Sequence, residues 1–215
     1  YKRQLLSGGK TVFLQDANSL IMKTDQLVEV LGYLRRTFPS IVRVTTYARS
    51  KTLVQKSLDD LKAIRRAGLD RLHVGLESGD DAVLERIQKG ATAEIHIKGG
   101  RKALAAGSQL SEYWMPGLGG KTRWQDHAIH TARVLSEIDP HYIRSRPFRP
   151  WPGTPLAQEM AEQTFEMLTP GEQLRELRLT MQELSVNGRV CFDHAGNYWK
   201  NRKGWLLYTS PSPRD

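Results

Sequence analysis

The residues of this sequence with chemistry to offer are two acids, several arginines and two glycine-bearing turns, and they stand where its β-type runs end. In chain order these places are Asp16-Ala17-Asn18-Ser19, Tyr47-Ala48-Arg49-Ser50, Gly75-Leu76-Glu77-Ser78-Gly79, Pro116-Gly117-Leu118-Gly119-Gly120 and Arg144-Ser145-Arg146. A carboxylate at Glu77, placed where a strand turns into a helix, can accept from ribose hydroxyls or a cationic amine. It can equally complement the dipole of the next helix, an effect of roughly 0.3–1 kcal/mol. Gly117, Gly119 and Gly120 permit positive φ and close backbone approach, which serves a nucleotide-cradling loop and an ordinary turn alike. Collected at one sheet edge, these groups suit an anionic or zwitterionic ligand.

The other reactive types are weaker signals. Asp126-His127-x-x-His130 sets two imidazoles at i and i+3 of a helix, a spacing metals use, but with no third ligand in sight. Asp193-His194 could be half of a site. His73 falls in the middle of a strand and reads as a core residue. Cys191, beside Val190 and Phe192, reads as a buried thiol after a helix rather than a nucleophile. The sequence has no Walker loop and no Ser/His/Asp constellation.

Those positions need a scaffold of alternating strands and helices, and the pattern supplies one. Strands are predicted over 11–16, 41–47, 69–76, 109–115 and 141–147. Helices are predicted over 25–38, 57–67, 80–88, 93–106 and 124–138, with Gly68 and Gly107 as C-terminal stops. Short connections between strands that alternate with helices require parallel pairing and right-handed crossovers, hence an α/β fold: a doubly wound sheet or a (β/α) barrel. In both, ligands bind at the carboxyl ends of the strands. Beyond Pro155 the pattern predicts helices only, one of them starting at Thr169-Pro170-Gly171-Glu172 and running to about Val186.

Composition narrows the class. The chain has 215 residues, 39% hydrophobic and 26% charged, with mean hydropathy −0.50, the balance of a globular protein. No apolar run reaches the ~18 residues of a membrane span. One cysteine excludes a disulfide framework and, by itself, a cysteine-held cluster or structural zinc, and makes a reducing, cytoplasmic setting the default. The net charge of +9 asks for a partner. Its pairs at Arg35-Arg36, Arg65-Arg66 and Arg101-Lys102 fall on predicted helices, where a solvated face is the plain reading and a nucleic-acid partner the sharper one.

Both ends are unusual. The chain opens at Tyr1-Lys2-Arg3 without Met, and Leu206 to Asp215 resembles a translated sequencing adapter, departing from that frame only at Trp205. Residues 206–215 are therefore set aside as non-native, and the remainder is expected to be part of a longer protein.

Taken in order, Phe13-Leu-Gln-Asp-Ala-Asn-Ser19, Arg43-Val-Thr-Thr-Tyr-Ala-Arg49, Arg71-Leu-His-Val-Gly-Leu-Glu-Ser-Gly79, Lys89-Gly90-Ala91-Thr92, Pro116–Gly120, Ile143–Arg146 and Pro152-Gly-Thr-Pro155 resemble the radical S-adenosylmethionine (SAM) enzymes. The branch is similar to oxygen-independent coproporphyrinogen oxidases and elongator-type catalytic subunits, and the likeness covers roughly residues 11–200. It implies a partial (β/α)₆ barrel in residues 1–160 that carries strands 2–6 and lacks the first, followed by a helical extension in 161–205. It implies a 4Fe–4S cluster, held by a Cys-x-x-x-Cys-x-x-Cys loop, that cleaves SAM to a 5′-deoxyadenosyl radical acting on a substrate the resemblance does not name. Matched to the family, Glu77 and Ser78 contact SAM; Tyr47, Arg49, Lys89, Gly117, Gly119 and Gly120 lie along it; Arg146 meets a carboxylate or the substrate. The cluster loop is not in the sequence, so its cysteines are expected upstream of Tyr1, and this chain alone is expected to be inactive. An electron donor such as flavodoxin or ferredoxin is implied. Two other readings compete: a cluster-free barrel that binds RNA or an anionic metabolite, and an unrelated (β/α) lyase, which would want a Schiff-base lysine at a strand end.

Overall fold

The computed structural model describes residues 10–193. His194, Trp205 and the 206–215 tail, on which readings were placed above, lie outside the described residues. The order is β1 (Thr11–Leu14), a 3₁₀ turn (Ser19–Ile21), α1 (Thr24–Thr37), β2 (Arg43–Ala48), α2 (Ser50–Gln55), α3 (Leu58–Arg66), β3 (Arg71–Glu77), α4 (Asp81–Arg86), α5 (Ala93–Ala105) and β4 (Gln109–Trp114). Then come α6 (Gly120–Ile138), β5 (Tyr142–Ser145), α7 (Pro155–Ala161), α8 (Pro170–Glu183) and β6 (Arg189–Cys191). The strands form a parallel six-stranded sheet in sequence order, β1-β2-β3-β4-β5-β6, as an α/β chain of short right-handed crossovers requires. Thr11 pairs with Arg43, Thr45 with Arg71 and Tyr142 with Arg189.

The chain divides into two compact units, Tyr1–Gly75 with Lys98–Ser111, and Leu76–Ile97 with Glu112–Asp215. In the first, Leu27 and Leu31 of α1, Val44 of β2, Leu61 and Ile64 of α3 and Leu72 and Val74 of β3 are buried. Ser57 and Asp60 close a capping box at the start of α3, satisfying two otherwise orphaned donors. The basic residues of this unit are in structural use. Asp70 accepts from Arg35 Nη2 (2.6 Å), Arg65 Nη1 (3.0 Å) and the Val44 N–H (2.8 Å), and Lys102 Nζ caps the carbonyls of Val54 (2.7 Å) and Lys56 (2.5 Å). Arg35, Arg65 and Lys102 thus serve the fold while only partly buried, and Arg36, Arg66 and Arg101 beside them are exposed, as a solvated face requires.

In the second unit Val83, Leu118, Phe148 and Phe165 make a core, with Met115, Leu156 and Met160 packed on it. Thr169 and Glu172 cap α8 as the spacing predicted. Three features differ from the expectations of sequence. Helix α6 begins at Gly120, four residues before Trp124, because the glycines run directly into the helix under Phe165. Beyond Pro155 the chain is not helical throughout: β6 adds to β5, a strand too short for any periodicity to show. Cys191 consequently sits half-buried on a strand. No described helix is long and apolar enough to cross a membrane.

Candidate functional site

The second unit gathers the acids. Strand β3 ends at Glu77, whose φ of +63° is one that a side chain with a Cβ seldom adopts. The next three residues hold the chain in that conformation. The Ser78 hydroxyl, fully buried, accepts from the Asp80 N–H (3.0 Å), and the Gly79 N–H donates to Thr131 Oγ1 (2.9 Å) on α6. A Cβ on Gly79 would lie 2.4 Å from the His130 carbonyl oxygen, so only glycine lets the turn approach α6 this closely. Asp80 then caps α4 through the Ala82 N–H (3.0 Å) and takes Arg123 Nη2 (2.8 Å) and Nε (3.1 Å) on its other oxygen. The turn is pinned on three sides, and the strain at Glu77 is carried by its neighbours.

Helix α4 ends in a second left-handed step, Gln88 at φ +51° and Gly90 at +71°, which turns Lys89 back. Lys89 Nζ reaches Glu77 Oε1 at 3.0 Å, and both side chains are mostly buried. The other carboxylate oxygen of Glu77 is buried with no hydrogen-bond partner among the described residues. Near this pair lies an acid that sequence reasoning missed. Glu112 of β4 is completely buried, and neither of its oxygens has a described hydrogen-bond partner. Burial pushes its carboxyl well above the ordinary range, Lys89 pulls it part of the way back, and Glu77 pushes it up again. Burial thus favours the protonated form of Glu112. His96 on α5, almost as deep, is held neutral, its pKa lowered to about 3 by burial and by the charge of Lys89.

The remaining predicted residues fall into three places. The Gly117 N–H donates to Glu176 Oε2 (2.7 Å), Gly119 packs on the His127 side chain, and a Cβ on Gly120 would stand 2.7 Å from the Phe165 ring. This loop thus spends part of its glycine freedom on the protein's own α8 and on Phe165. Arg146 donates its N–H to the Trp114 carbonyl (2.9 Å) and lays its guanidinium over Tyr113 at 4.6 Å, its Nε buried with no described hydrogen-bond partner. Tyr47 and Arg49 belong to the first unit. Tyr47 meets Phe13 edge-on (4.8 Å) and His73 (6.1 Å), so His73 is a half-buried aromatic neighbour rather than part of the apolar core. The Arg49 N–H is held by Asn18 Oδ1 (3.2 Å), and the Arg49 side chain is exposed.

His127 and His130 do not form a metal pair. His127 is buried with Nδ1 against Glu176 Oε1 (2.5 Å), and His130 lies on the surface beside Asp80. Among the described residues no group of three or more His, Cys, Asp or Glu could hold a metal ion.

The family model described as the radical SAM superfamily matches residues 2–132, and the chain belongs to that superfamily. Comparison with curated protein sequences gives no match. Among solved structures, Elp3 of the archaeon Methanocaldococcus infernus superposes with a TM-score of 0.65 at 14% identity, over 90% of this chain and 51% of that one. Coproporphyrinogen III oxidase (HemN) from Escherichia coli, a radical SAM enzyme, gives 0.62 at 16% identity, over 80% and 39%. Methylornithine synthase (PylB) gives 0.58 at 18%, over 86% and 54%. At these identities the likeness is one of fold. The chain spans about half the length of the structures it matches or less.

Proposed function

We propose that this chain is the SAM-binding portion of a longer radical SAM enzyme. Residues 1–160 are the barrel part, and 161–205 an extension that brings α8 and the β6 edge strand. The observation that carries the reading is Glu77. A strained, mostly buried carboxylate with one oxygen on Lys89 and the other unpartnered, beside a buried Glu112 whose two oxygens also have no described partner, leaves polar capacity for a ligand's donors. The ammonium group and ribose hydroxyls of SAM are donors of that kind, so these residues fit the cofactor. Glu77 and Ser78 would hold its polar end, Lys89 would keep Glu77 aimed, and Arg146 would take a carboxylate of cofactor or substrate. The 117–120 loop would lie along it.

The cluster is a different matter. Three thiolates are needed and the sequence holds Cys191 alone, on β6, so the residues present do not fit a 4Fe–4S centre. We propose ligands upstream, a reducing cytoplasm and a donor such as flavodoxin or ferredoxin; with a cluster and SAM bound, the full-length protein would supply a 5′-deoxyadenosyl radical. A nucleic-acid module is less well supported, because Arg35, Arg65, Arg86, Arg123 and Arg144 are each committed to an acid of the fold. The test is anaerobic reconstitution of the full-length polypeptide with iron and sulfide, then reduction in the presence of SAM. The expected result is cluster uptake and release of 5′-deoxyadenosine by the full-length protein, and no cluster on this chain alone. A full-length protein that takes up iron and sulfide but neither binds nor consumes SAM would overturn the reading.

A further inference from the structure

The loop after β4 is held from behind by a buried polar pair that no apolar packing accounts for. Glu176 and His127 are each about 1% exposed, and they meet through Oε1 and Nδ1 at 2.5 Å. The second oxygen of Glu176 accepts the Gly117 N–H at 2.7 Å. An ionised or hydrogen-bonded carboxylate this deep is costly unless each oxygen has a donor, and here both have one. The arrangement recurs along α8. Gln173, Glu176 and Thr180 are all buried, at i, i+3 and i+7, so this helix turns a polar stripe inward, toward α6 and the loop. Gly117 has φ +90°, and a Cβ there would lie 2.7 Å from Gln173 Nε2. The loop therefore touches α8 with its backbone, and Glu176 is the group that fixes it. On the far side, Gly119 rests on the His127 Cβ, so one imidazole both orients Glu176 and floors the loop.

We propose that Glu176 is a positioning residue for the SAM site, acting through the Gly117 N–H and through His127 to hold the 117–120 loop in the one backbone conformation that can receive the cofactor. The proposal rests on the reading of the second unit as a SAM site. It adds to that reading a requirement for α8, a helix outside the residues matched to the family. Glu176 touches no reacting group. Its carboxylate takes the place at the Gly117 amide that a ligand's anionic group would otherwise occupy, so the loop offers its shape, and not that amide, to the cofactor. His127 Nε2 is buried without a described hydrogen-bond partner, so the Nδ1 contact with Glu176 is the described hydrogen bond that orients the ring.

The test uses the cluster-bearing full-length enzyme and three variants, Glu176→Ala, Glu176→Gln and Glu77→Gln. Hydrogen–deuterium exchange over residues 115–121, SAM dissociation constants and thermal midpoints are measured for each. Glu176→Ala is expected to speed exchange in that segment and to weaken SAM binding about tenfold, the loss of one hydrogen bond to a charged group, with kcat at saturating SAM unchanged. Glu176→Gln retains an oxygen for Gly117 and is expected to restore most of the affinity; it also serves if the alanine variant does not fold. Faster exchange with unchanged SAM affinity in both Glu176 variants, while Glu77→Gln weakens binding, would overturn the proposal and leave the SAM site standing. Unchanged affinity in all three would overturn the proposal together with the reading beneath it.

Discussion

Glu77→Gln in the cluster-bearing full-length enzyme is expected to weaken SAM binding by about 10- to 100-fold, the range for losing a charge-assisted hydrogen bond at a mostly buried carboxylate. The amide keeps the shape of the carboxylate but brings an N–H₂ into a place built for acceptors, and it gives up the ion pair to Lys89 Nζ at 3.0 Å. A companion variant separates the side chain from the backbone. Glu77 sits at φ +63°, a conformation that costs an ordinary residue of order 1 kcal/mol and glycine almost nothing. Glu77→Gly is therefore expected to bind SAM at least as poorly as Glu77→Gln, yet to melt no lower. Strain retained at a residue that stability would rather see as glycine is the mark of a position kept for its side chain. Isothermal calorimetry and thermal melts on both variants check this. SAM affinity within twofold of the parent in Glu77→Gln would remove Glu77 from the site.

How far the sequence could be read depends on what each element exposes to pattern. The strand ends were legible because β-branched and apolar runs stop at polar, glycine-bearing turns. Helix ends were legible because Gly68 and Gly107 take φ of +111° and +80°, the left-handed step at which helices close. Glu77, Ser78 and Lys89 were reached through ordered motifs, and the structure brings Glu77 and Lys89 into contact. Glu112 escaped because it lies inside a strand, where Ser111-Glu112-Tyr113 resembles ordinary alternation. Its parity was the available signal: Leu110, Glu112 and Trp114 share one face at period two, and the two flanking residues are buried. A carboxylate between two core positions is costly enough to ask for a reason.

Glu176 escaped for the opposite cause. Helical reading looks for apolar stripes, and a buried polar stripe of Gln173, Glu176 and Thr180 resembles a solvated face until its partners are known. The same blindness missed that Asp70, 35 and 5 residues away along the chain, engages both Arg35 and Arg65. Long-range pairing of charges leaves no periodic trace. Three-residue β6 leaves none either.

The raised pKa of Glu112 carries a consequence for stability that can be read without any cofactor. In the unfolded chain a glutamate loses its proton near pH 4.5, whereas in the fold burial keeps that proton on well above this value. Between those two points the folded state binds the extra proton, so the folding equilibrium loses a factor of ten for each rise of one pH unit. His96 acts at the other end. Its pKa falls from 6.5 to about 3 on folding, so between those values the unfolded chain holds the extra proton, and stability falls as the pH drops through that window. Glu112→Gln supplies an uncharged group of the same shape and removes the alkaline loss. It is expected to melt at least about 3 °C above the parent at pH 8, with the difference closing toward pH 4. His96→Gln is expected to flatten the acid limb instead, with little effect above pH 7. Because the two acids flank one lysine, the size of the Glu112 effect also reports how strongly Lys89 is committed to Glu77, since a lysine free to turn toward Glu112 would let it ionise. Thermal melts from pH 4 to 9 on the parent and the two variants decide the matter. Parallel curves for Glu112→Gln and the parent would mean that Glu112 is ionised in the fold, held so by Lys89, and the site would then carry two carboxylates on one ammonium.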